Sequence, residues 1–222
     1  MQRRHASLAL LLLVPPHRAV AALSEGDASA GVRAALERGA GLAVARLGRP
    51  DGFFADPRLR IPLPGPLEQA SALLRLAGQQ QKVDELVLAM NRAAEAAVPQ
   101  ARPLLVNAVK SMSVEDALAV VRGGDDSVTR FFAGKTREPL FAQLLPLVTR
   151  ATEKVALAQR YNALAERLAR AGLVRQDEVQ LERHVTAKTL DGLYLAIGEE
   201  ERRIRQDPVG TGSAILKKVF GG

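Results

Sequence analysis

Cysteine and tryptophan are both absent from the 222-residue sequence. Without cysteine the chain can form no disulfide, no thiolate zinc site and no cysteine nucleophile. A hydrophobic core alone must therefore hold the fold together. A chain of this length can bury a core large enough for one good-sized domain.

Aromatic residues are scarce as well, at 4% of the sequence, and neither sign of charge dominates. The chain has 31 basic and 24 acidic residues, which give a formal net charge of +7. Proteins that bind nucleic acid usually concentrate basic residues on one face and interleave aromatic side chains that stack on bases. The mixed, aromatic-poor pattern therefore predicts a solvated surface and no nucleic-acid partner.

The first 22 residues have the three parts of a secretory signal peptide. Arg3 and Arg4 open the segment, an uncharged apolar run covers residues 6–14, and Ala19-Val20-Ala21 supplies the small residues of a cleavage site. The apolar run is about half the length of a membrane span, and no later segment approaches that length. The sequence therefore predicts an exported, periplasmic protein. Its mature chain, residues 23–222, would be one helical domain without a transmembrane segment.

Helix-forming residues dominate the rest of the chain, and β-branched and aromatic residues are too few and scattered to supply strands. We therefore predict an all-α fold, a single multi-helix orthogonal bundle. The X-Pro steps near residues 51–64 predict one extended, proline-rich segment. The helices are predicted at about 28–47, 66–78, 81–98, from Pro99 or Pro103 to 112, 113–123, around 131–132, 136–172, from 177, 186–206 and 213–220.

Only one histidine, His184, follows the predicted signal peptide. A zinc site needs several Cys or His ligands, and a di-iron bundle uses Glu-x-x-His pairs, whereas position 181 is leucine. A serine triad would have to use His184, whose charged neighbours are typical of a surface histidine. Gly210 to Ser213 resembles a phosphate loop only faintly, because no strand precedes it, so we predict a turn and a helix cap. We therefore predict no catalytic residue and no cofactor.

Asp125 and Asp126 follow two glycines and could present paired carboxylates to calcium or magnesium. Adjacent acids after glycines are also typical of a helix end followed by negative charge at the start of the next helix. We keep the pair as a metal candidate and expect the second role.

Polar residues interrupt several apolar helix patterns, and asparagine and aspartate need a compensating partner inside a helix. They could converge on one polar pocket, or each could make a separate interhelix hydrogen bond, which we favour. The proline-rich segment contains an exposed basic strip that could bind an anionic ligand or partner, or could cover the bundle. The candidate binding residues are Arg58, Arg60, Asn91, Arg92, Glu95, Asn107, Tyr161, Asn162 and Asp191.

Motifs spread from about residue 23 to the end of the chain carry a family resemblance. They lie at Leu47–Phe53, Arg60–Pro64, Met90–Glu95, Lys110–Ser113, Gly123–Asp125, Lys135-Thr136, Ala158–Asn162, Asp191–Leu193 and Ile204–Gly221. With these motifs the chain resembles a bacterial family called domain of unknown function 4197 (DUF4197). The resemblance implies an exported helical protein, and it implies no reaction and no ligand.

These observations favour a non-enzymatic periplasmic protein that binds a small molecule or an envelope protein. Two alternatives stay open. One is a hydrolase of an envelope substrate that uses carboxylates, lysine and arginine, and glycoside hydrolysis would need two carboxylates about 5–10 Å apart in a cleft. The other is a structural, oligomerising envelope component that makes its contact through the segment Lys217 to Phe220.

Overall fold

The computed structural model describes residues 22–115, 117–156, 159–161 and 180–221. These residues contain α1 (Glu25–Leu47), α2 (Gly65–Leu76), α3 (Gln80–Ser111), α4 (Ala117–Val121), α5 (Ser127–Lys154), α6 (Leu181–Gln206) and α7 (Ala214–Phe220). No strand occurs among them, so the predicted all-α class is confirmed. Several predictions fall outside the described residues: residues 1–21 of the signal peptide, Asn162, the part of the 136–172 helix from residue 162 on, and residues 177–179 of the helix predicted from 177.

The ends of α1 follow the sequence closely. The Ser24 hydroxyl accepts a hydrogen bond from the Asp27 backbone N–H at 3.1 Å, as an N-cap residue does. At the other end, the N–H of Gly48 donates to the Val44 carbonyl. Gly31 lies where α1 and α7 approach each other closely. A Cβ at this position would lie only 2.6 Å from Cγ2 of Val219 in α7, so a larger residue would not fit without movement.

Two prolines in α3 do not separate two helices. The prediction of one helix ending at residue 98 and another entered at Pro99 or Pro103 was wrong, because α3 continues through both prolines for 32 residues. An interior proline removes a backbone hydrogen bond and costs about 3 kcal/mol. The buried positions Val98, Ala101 and Leu105 carry the apolar face across the prolines, so packing against the core outweighs this local cost.

α5 is likewise one helix where two were predicted. It runs from Ser127 to Lys154 and includes both the short helix expected around residues 131–132 and the longer one expected to open at Thr136. The hydroxyl of Thr136, which looks like a cap in the sequence, donates to the Phe132 carbonyl one turn earlier at 2.6 Å. Phe132, Leu140 and Leu144 form a continuous buried line, which holds the two predicted pieces together.

The core lies where the long helices meet. α3 packs against α1 and α5, and α6 packs against the same two helices. Phe132 of α5 and Tyr194 of α6 meet edge to face, with ring centroids 5.9 Å apart. None of the described helices combines the length and the apolarity that crossing a bilayer demands.

α7 packs on α1 at the C-terminal end of the described chain. Leu216 and Val219 are buried there, and the Lys218 ammonium pairs with Asp27 at 2.7 Å. The Ser213 hydroxyl accepts from the Leu216 N–H, so the predicted cap of this helix is confirmed. The apolar side of the segment that an oligomer was expected to use therefore packs on α1.

Candidate functional site

Asn91 lies in the middle of α3 and is fully buried. Its side-chain oxygen accepts from the Ile61 N–H at 2.9 Å, and its side-chain nitrogen donates to the Ile61 carbonyl at 3.0 Å. The same nitrogen donates to the Val87 carbonyl at 2.8 Å. One side chain therefore satisfies both backbone groups of Ile61, which would otherwise be buried without partners. Asn91 anchors the proline-rich segment, residues 51–64, to the bundle.

Glu95, one turn further along α3, holds the start of the same segment. One carboxylate oxygen accepts from the N–H groups of Phe53 at 3.1 Å and Phe54 at 3.3 Å. The other oxygen pairs with Arg92 at 2.6 Å, and Arg92 also pairs with Asp51 at 2.7 Å. A buried carboxylate is stable only with such partners, and the oxygen atoms of Glu95 are occupied by them.

The outer side of the segment is held by a cation–π contact and a histidine. The Arg60 guanidinium lies 4.4 Å from the centre of the Phe54 ring and donates to the Phe54 carbonyl at 2.7 Å. At the far end, Nε2 of His184 lies 2.8 Å from the Pro62 carbonyl, so it is the nitrogen that carries the proton. Burial lowers the pKa of His184, which favours this neutral form.

Four charges tie the segment to α1 and α6. Arg58 pairs with Asp56 at 2.7 Å and with Glu199 at 2.6 Å, and Arg46 pairs with the same two carboxylates at 3.0 and 2.5 Å. Hydrogen bonds from Arg58 lower the pKa of Asp56. Burial acts to raise the pKa of Glu199, but the two arginines outweigh it and the net shift is downward. The charges of this cluster therefore compensate one another.

The structure brings five of the predicted binding residues together around the proline-rich segment. Their polar atoms bond to the segment itself or to neighbouring charges. The apolar side chains of the segment, Leu59, Ile61 and Leu63, are buried in the hydrophobic core. Of the two roles left open by the sequence, this geometry favours the segment as a cover of the bundle. The five residues are Arg58, Arg60, Asn91, Arg92 and Glu95.

The remaining candidates lie elsewhere in the described chain. Asp191 pairs with Arg137 at 2.7 Å and with Lys188 at 3.3 Å. Tyr161 is buried in the core, and Asn107 is exposed on α3. The described candidates therefore do not converge on a single polar pocket.

The two aspartates proposed for a metal have different surroundings. Asp126 precedes α5 and pairs with Arg130 at 3.0 Å and with Arg202 at 3.8 Å, while Asp125 is exposed. Within the described ranges, no three histidine, cysteine, aspartate or glutamate side chains are grouped so that they could hold a metal ion. The geometry thus gives Asp126 the role of a negative charge at a helix start.

Glu201 is only 2% exposed and was not among the residues predicted from the sequence. Its carboxylate accepts from the N–H groups of Val128 at 3.0 Å and Thr129 at 2.7 Å, and from the Thr129 hydroxyl at 2.7 Å. Arg205 pairs with it at 2.8 Å. This side chain of α6 caps the N-terminus of α5 across the core. The charge run at residues 199–203 resembles a solvated helix face, so the sequence offered no signal for this role.

A half-enclosed cleft lies between the C-terminal half of α3 and α5. Its volume is about 380 Å³, at the small end of the range for small-molecule sites. From α3 and the two residues after it come Leu104, Asn107, Ala108, Ser111, Met112 and Ser113. From α5 come Lys135, Thr136, Pro139, Leu140 and Gln143. No carboxylate is among these lining residues.

The polar groups of this cleft are of two kinds. The Thr136 hydroxyl is engaged, since it bonds to the Phe132 carbonyl and lies 3.0 Å from the Tyr194 hydroxyl. Asn107 and Lys135 form neither a hydrogen bond nor an ion pair with the part of the chain that the structure describes. Lys135 lies 5.9 Å from the Phe131 ring centre, at the wall of the cleft. These two side chains have binding capacity that the described fold does not use.

Two other clefts are less suited to a ligand. One, of about 430 Å³, opens widely beside Arg46 and Asp56, whose charges are already paired. The other, of about 290 Å³, is lined by Arg38, Glu200 and Arg203, and these pair with one another at 3.0 and 3.3 Å. The cleft between α3 and α5 is therefore the better candidate for a binding site.

Comparison with known proteins gives one match. The family described as "Protein of unknown function (DUF4197)" matches residues 22–221. No curated protein and no solved structure matches the chain. Because the family match spans nearly the whole sequence, and the motifs quoted above lie within it, the chain belongs to the DUF4197 family.

Proposed function

We propose that this protein is a non-enzymatic, periplasmic binding protein that takes up a small molecule in the cleft between α3 and α5. The main support for this proposal is a difference between two groups of polar side chains. The polar side chains around the proline-rich segment bond to the chain itself, whereas Asn107 and Lys135 in the cleft make no such bond with the described residues.

The lining has the mixed character of small-molecule sites. Leu104, Ala108, Met112 and Leu140 contribute apolar surface, and the last two are buried, so the helices hold this floor in place. Amide, hydroxyl and ammonium groups stand around it. Binding sites for small molecules are mostly apolar, with a few polar groups that fix the orientation of the ligand.

The cleft supports binding better than hydrolysis. The alternative of a carboxylate-based hydrolase needs two carboxylates at the substrate, and the described lining of this cleft supplies neither. The lining does supply hydrogen-bond donors and a cation, which can recognise a ligand without reacting with it.

Export is the second part of the proposal, and the signal pattern of residues 1–22 supports it. We expect cell fractionation to place the protein in the periplasm, with a mass that corresponds to cleavage after residue 21 or 22. A protein found only in the cytoplasm with its first residues intact would contradict export and would leave the binding proposal standing.

The test of binding is native mass spectrometry of the protein purified gently from its own cells. We expect the wild type to retain a small molecule of defined mass, and Asn107→Phe, which fills the cleft, to lose it. Gln100→Phe is the matched control, since Gln100 is exposed on α3 outside the cleft. A wild type without a bound mass, or equal retention by both variants, would contradict the proposal. Turnover of an envelope substrate by the wild type would favour the hydrolase alternative.

A further inference from the structure

We infer that the cleft between α3 and α5 takes a small anionic amphiphile, an acidic head group on a short apolar tail. This inference rests on the proposed function and assigns the chemical class of the ligand.

The charged residue in the lining of the cleft is positive. Lys135 lines it and forms no ion pair with the described residues, and the described lining contains no carboxylate. Arg33 adds a second cation behind the floor, because its guanidinium donates to the Met112 carbonyl at 3.1 Å. Arg33 also pairs with no described carboxylate. A negative charge near Lys135 is therefore favoured, and a second positive charge is disfavoured.

The acidic residue Glu115 is bonded to a lining residue of the cleft. Glu115 contacts the Ser113 hydroxyl at 3.5 Å, a long hydrogen bond between two exposed residues. Glu115 is not part of the lining, whereas Lys135 is. Lys135 therefore remains the charged group that a ligand in the cleft would meet.

Asn107 adds specificity to the head-group site. Its amide can donate hydrogen bonds to the oxygen atoms of a carboxylate or a phosphate, and hydrogen bonds to a charged acceptor are stronger than neutral ones. The Ser111 and Ser113 hydroxyls also line the cleft, but they donate to the Ala108 carbonyl at 3.4 Å and to the Glu115 carboxylate at 3.5 Å. The donors left for an anion are therefore the Asn107 amide and the Lys135 ammonium.

The apolar floor and the volume of the cleft indicate the polarity and the length of the ligand's tail. Leu104, Ala108, Met112 and Leu140 offer apolar surface, which favours an apolar part of the ligand. If about 30 Å³ is taken for each water-sized group, a cleft of about 380 Å³ holds roughly a dozen such groups. An acid with a tail of about eight to ten carbons has this size, whereas a longer chain would extend into solvent.

The experiment is calorimetric titration of the mature protein with four probes of matched size. These are decanoate, octyl phosphate, decanol and decyltrimethylammonium. We expect both anions to bind more tightly than decanol, by up to about fivefold, which is the upper range for an exposed ion pair. The cation is expected to bind most weakly. The stronger of the two anions then identifies the head group as a carboxylate or a phosphate.

Variants of one side chain assign the charge effect to Lys135. Lys135→Gln is expected to reduce the affinity for decanoate to that for decanol, and Lys135→Glu to reverse the preference toward the cationic probe. Lys154→Gln is the control on the same helix, since Lys154 is exposed and lies outside the cleft. Lys135→Gln with wild-type preference for anions would overturn the inference.

The outcomes separate the ligand class from the proposed function. If decanol binds as tightly as decanoate and Asn107→Phe abolishes both, the cleft binds ligands but the assigned class is wrong. If Asn107→Phe leaves decanoate binding unchanged, the cleft is not the site, and the inference fails together with the placement of the proposed function.

Discussion

The two halves of α3 carry similar polar residues in very different surroundings. In the first half, Asn91 and Glu95 are buried, and their side chains bond to the backbone of the proline-rich segment. In the second half, Asn107 is exposed at a cleft and bonds to no described residue. A polar residue within a helical pattern is therefore either a structural anchor or a side chain without a described partner, according to what packs against it, and the sequence alone does not distinguish the two.

The largest expected effect comes from removing an anchor. Asn91→Ala leaves the buried N–H and carbonyl of Ile61 without partners, and each such loss costs about 1–3 kcal/mol. We expect the free energy of unfolding to fall by about 3 kcal/mol, measured by chemical denaturation. Asn107→Ala is the matched control and should change it by less than about 0.5 kcal/mol. If both variants lost the same unfolding free energy, the claim that only the first half of α3 anchors the fold would be wrong.

The second-largest loss of stability is expected at Gly192, where the proline-rich segment and α6 approach each other closely. A Cβ at Gly192 would lie 2.6 Å from Cε1 of the buried Phe53, so Gly192→Ala forces the segment or the helix to move. Overpacking of this kind costs about 1–3 kcal/mol. The control is Gly134→Ala in α5, where nothing lies within 4 Å, and this change should stabilise the helix by about 0.5–1 kcal/mol. Destabilisation by both changes to the same extent would argue against tight packing of the segment.

His184, at the far end of the proline-rich segment, is expected to make a smaller contribution to stability that depends on pH. The pKa of His184 in the folded protein lies below the ordinary value of 6.5, because burial disfavours the charged form. The unfolded chain therefore takes up the proton first, and the contribution of His184 to stability, present above pH 6.5, is lost as the pH falls below that value.

The measurement is chemical denaturation of the wild type and His184→Gln at several pH values between 5 and 8. The glutamine amide can still donate to the Pro62 carbonyl but does not titrate in this range, so the variant should lose less stability on acidification than the wild type. Lys188 and Asp191, which also influence His184, are unchanged in both proteins. Identical pH profiles would show that His184 is not the group responsible.

The smallest loss of stability is expected when one charge of the ion-pair cluster around Arg46 and Arg58 is removed. Arg46→Gln removes two ion pairs, but Arg58 still pairs with both Asp56 and Glu199. Exposed pairs of this kind contribute less than about 1 kcal/mol. The change in unfolding free energy should shrink further in high salt, because the charges are then screened. A loss as large as that of Asn91→Ala would mean that charge, rather than the buried hydrogen bonds, holds the segment.

The sequence predicted the parts of this fold that local chemistry decides. The Ser213 cap of α7 was predicted correctly, because a hydroxyl before a helix has a local partner, and the Ser24 hydroxyl caps α1 in the same way. The continuity of α3 through Pro99 and Pro103 was not predicted, since it depends on core packing that only the assembled bundle provides.

The candidate site was predicted only in part. Asn91, Arg92 and Glu95 were selected because they are unusual inside an apolar helix pattern, but their partners in the proline-rich segment are thirty or more residues away in the sequence. Lys135 gave no such signal, because a lysine on a helix is most often a solvated surface residue. Its position opposite Asn107 follows from the packing of α3 on α5, which no local pattern encodes.

The central claim is that the second half of α3 binds a ligand while the first half holds the fold, and amide chemical-shift mapping tests it most directly. Isotope-labelled protein that begins at residue 23 would be titrated with decanoate and followed by two-dimensional NMR. The account predicts shifts concentrated at residues 104–113 and 135–143, with residues 51–64 and 87–95 unmoved. Shifts concentrated instead around the proline-rich segment and Arg92 would contradict it and would place the binding site where this structure shows an anchor.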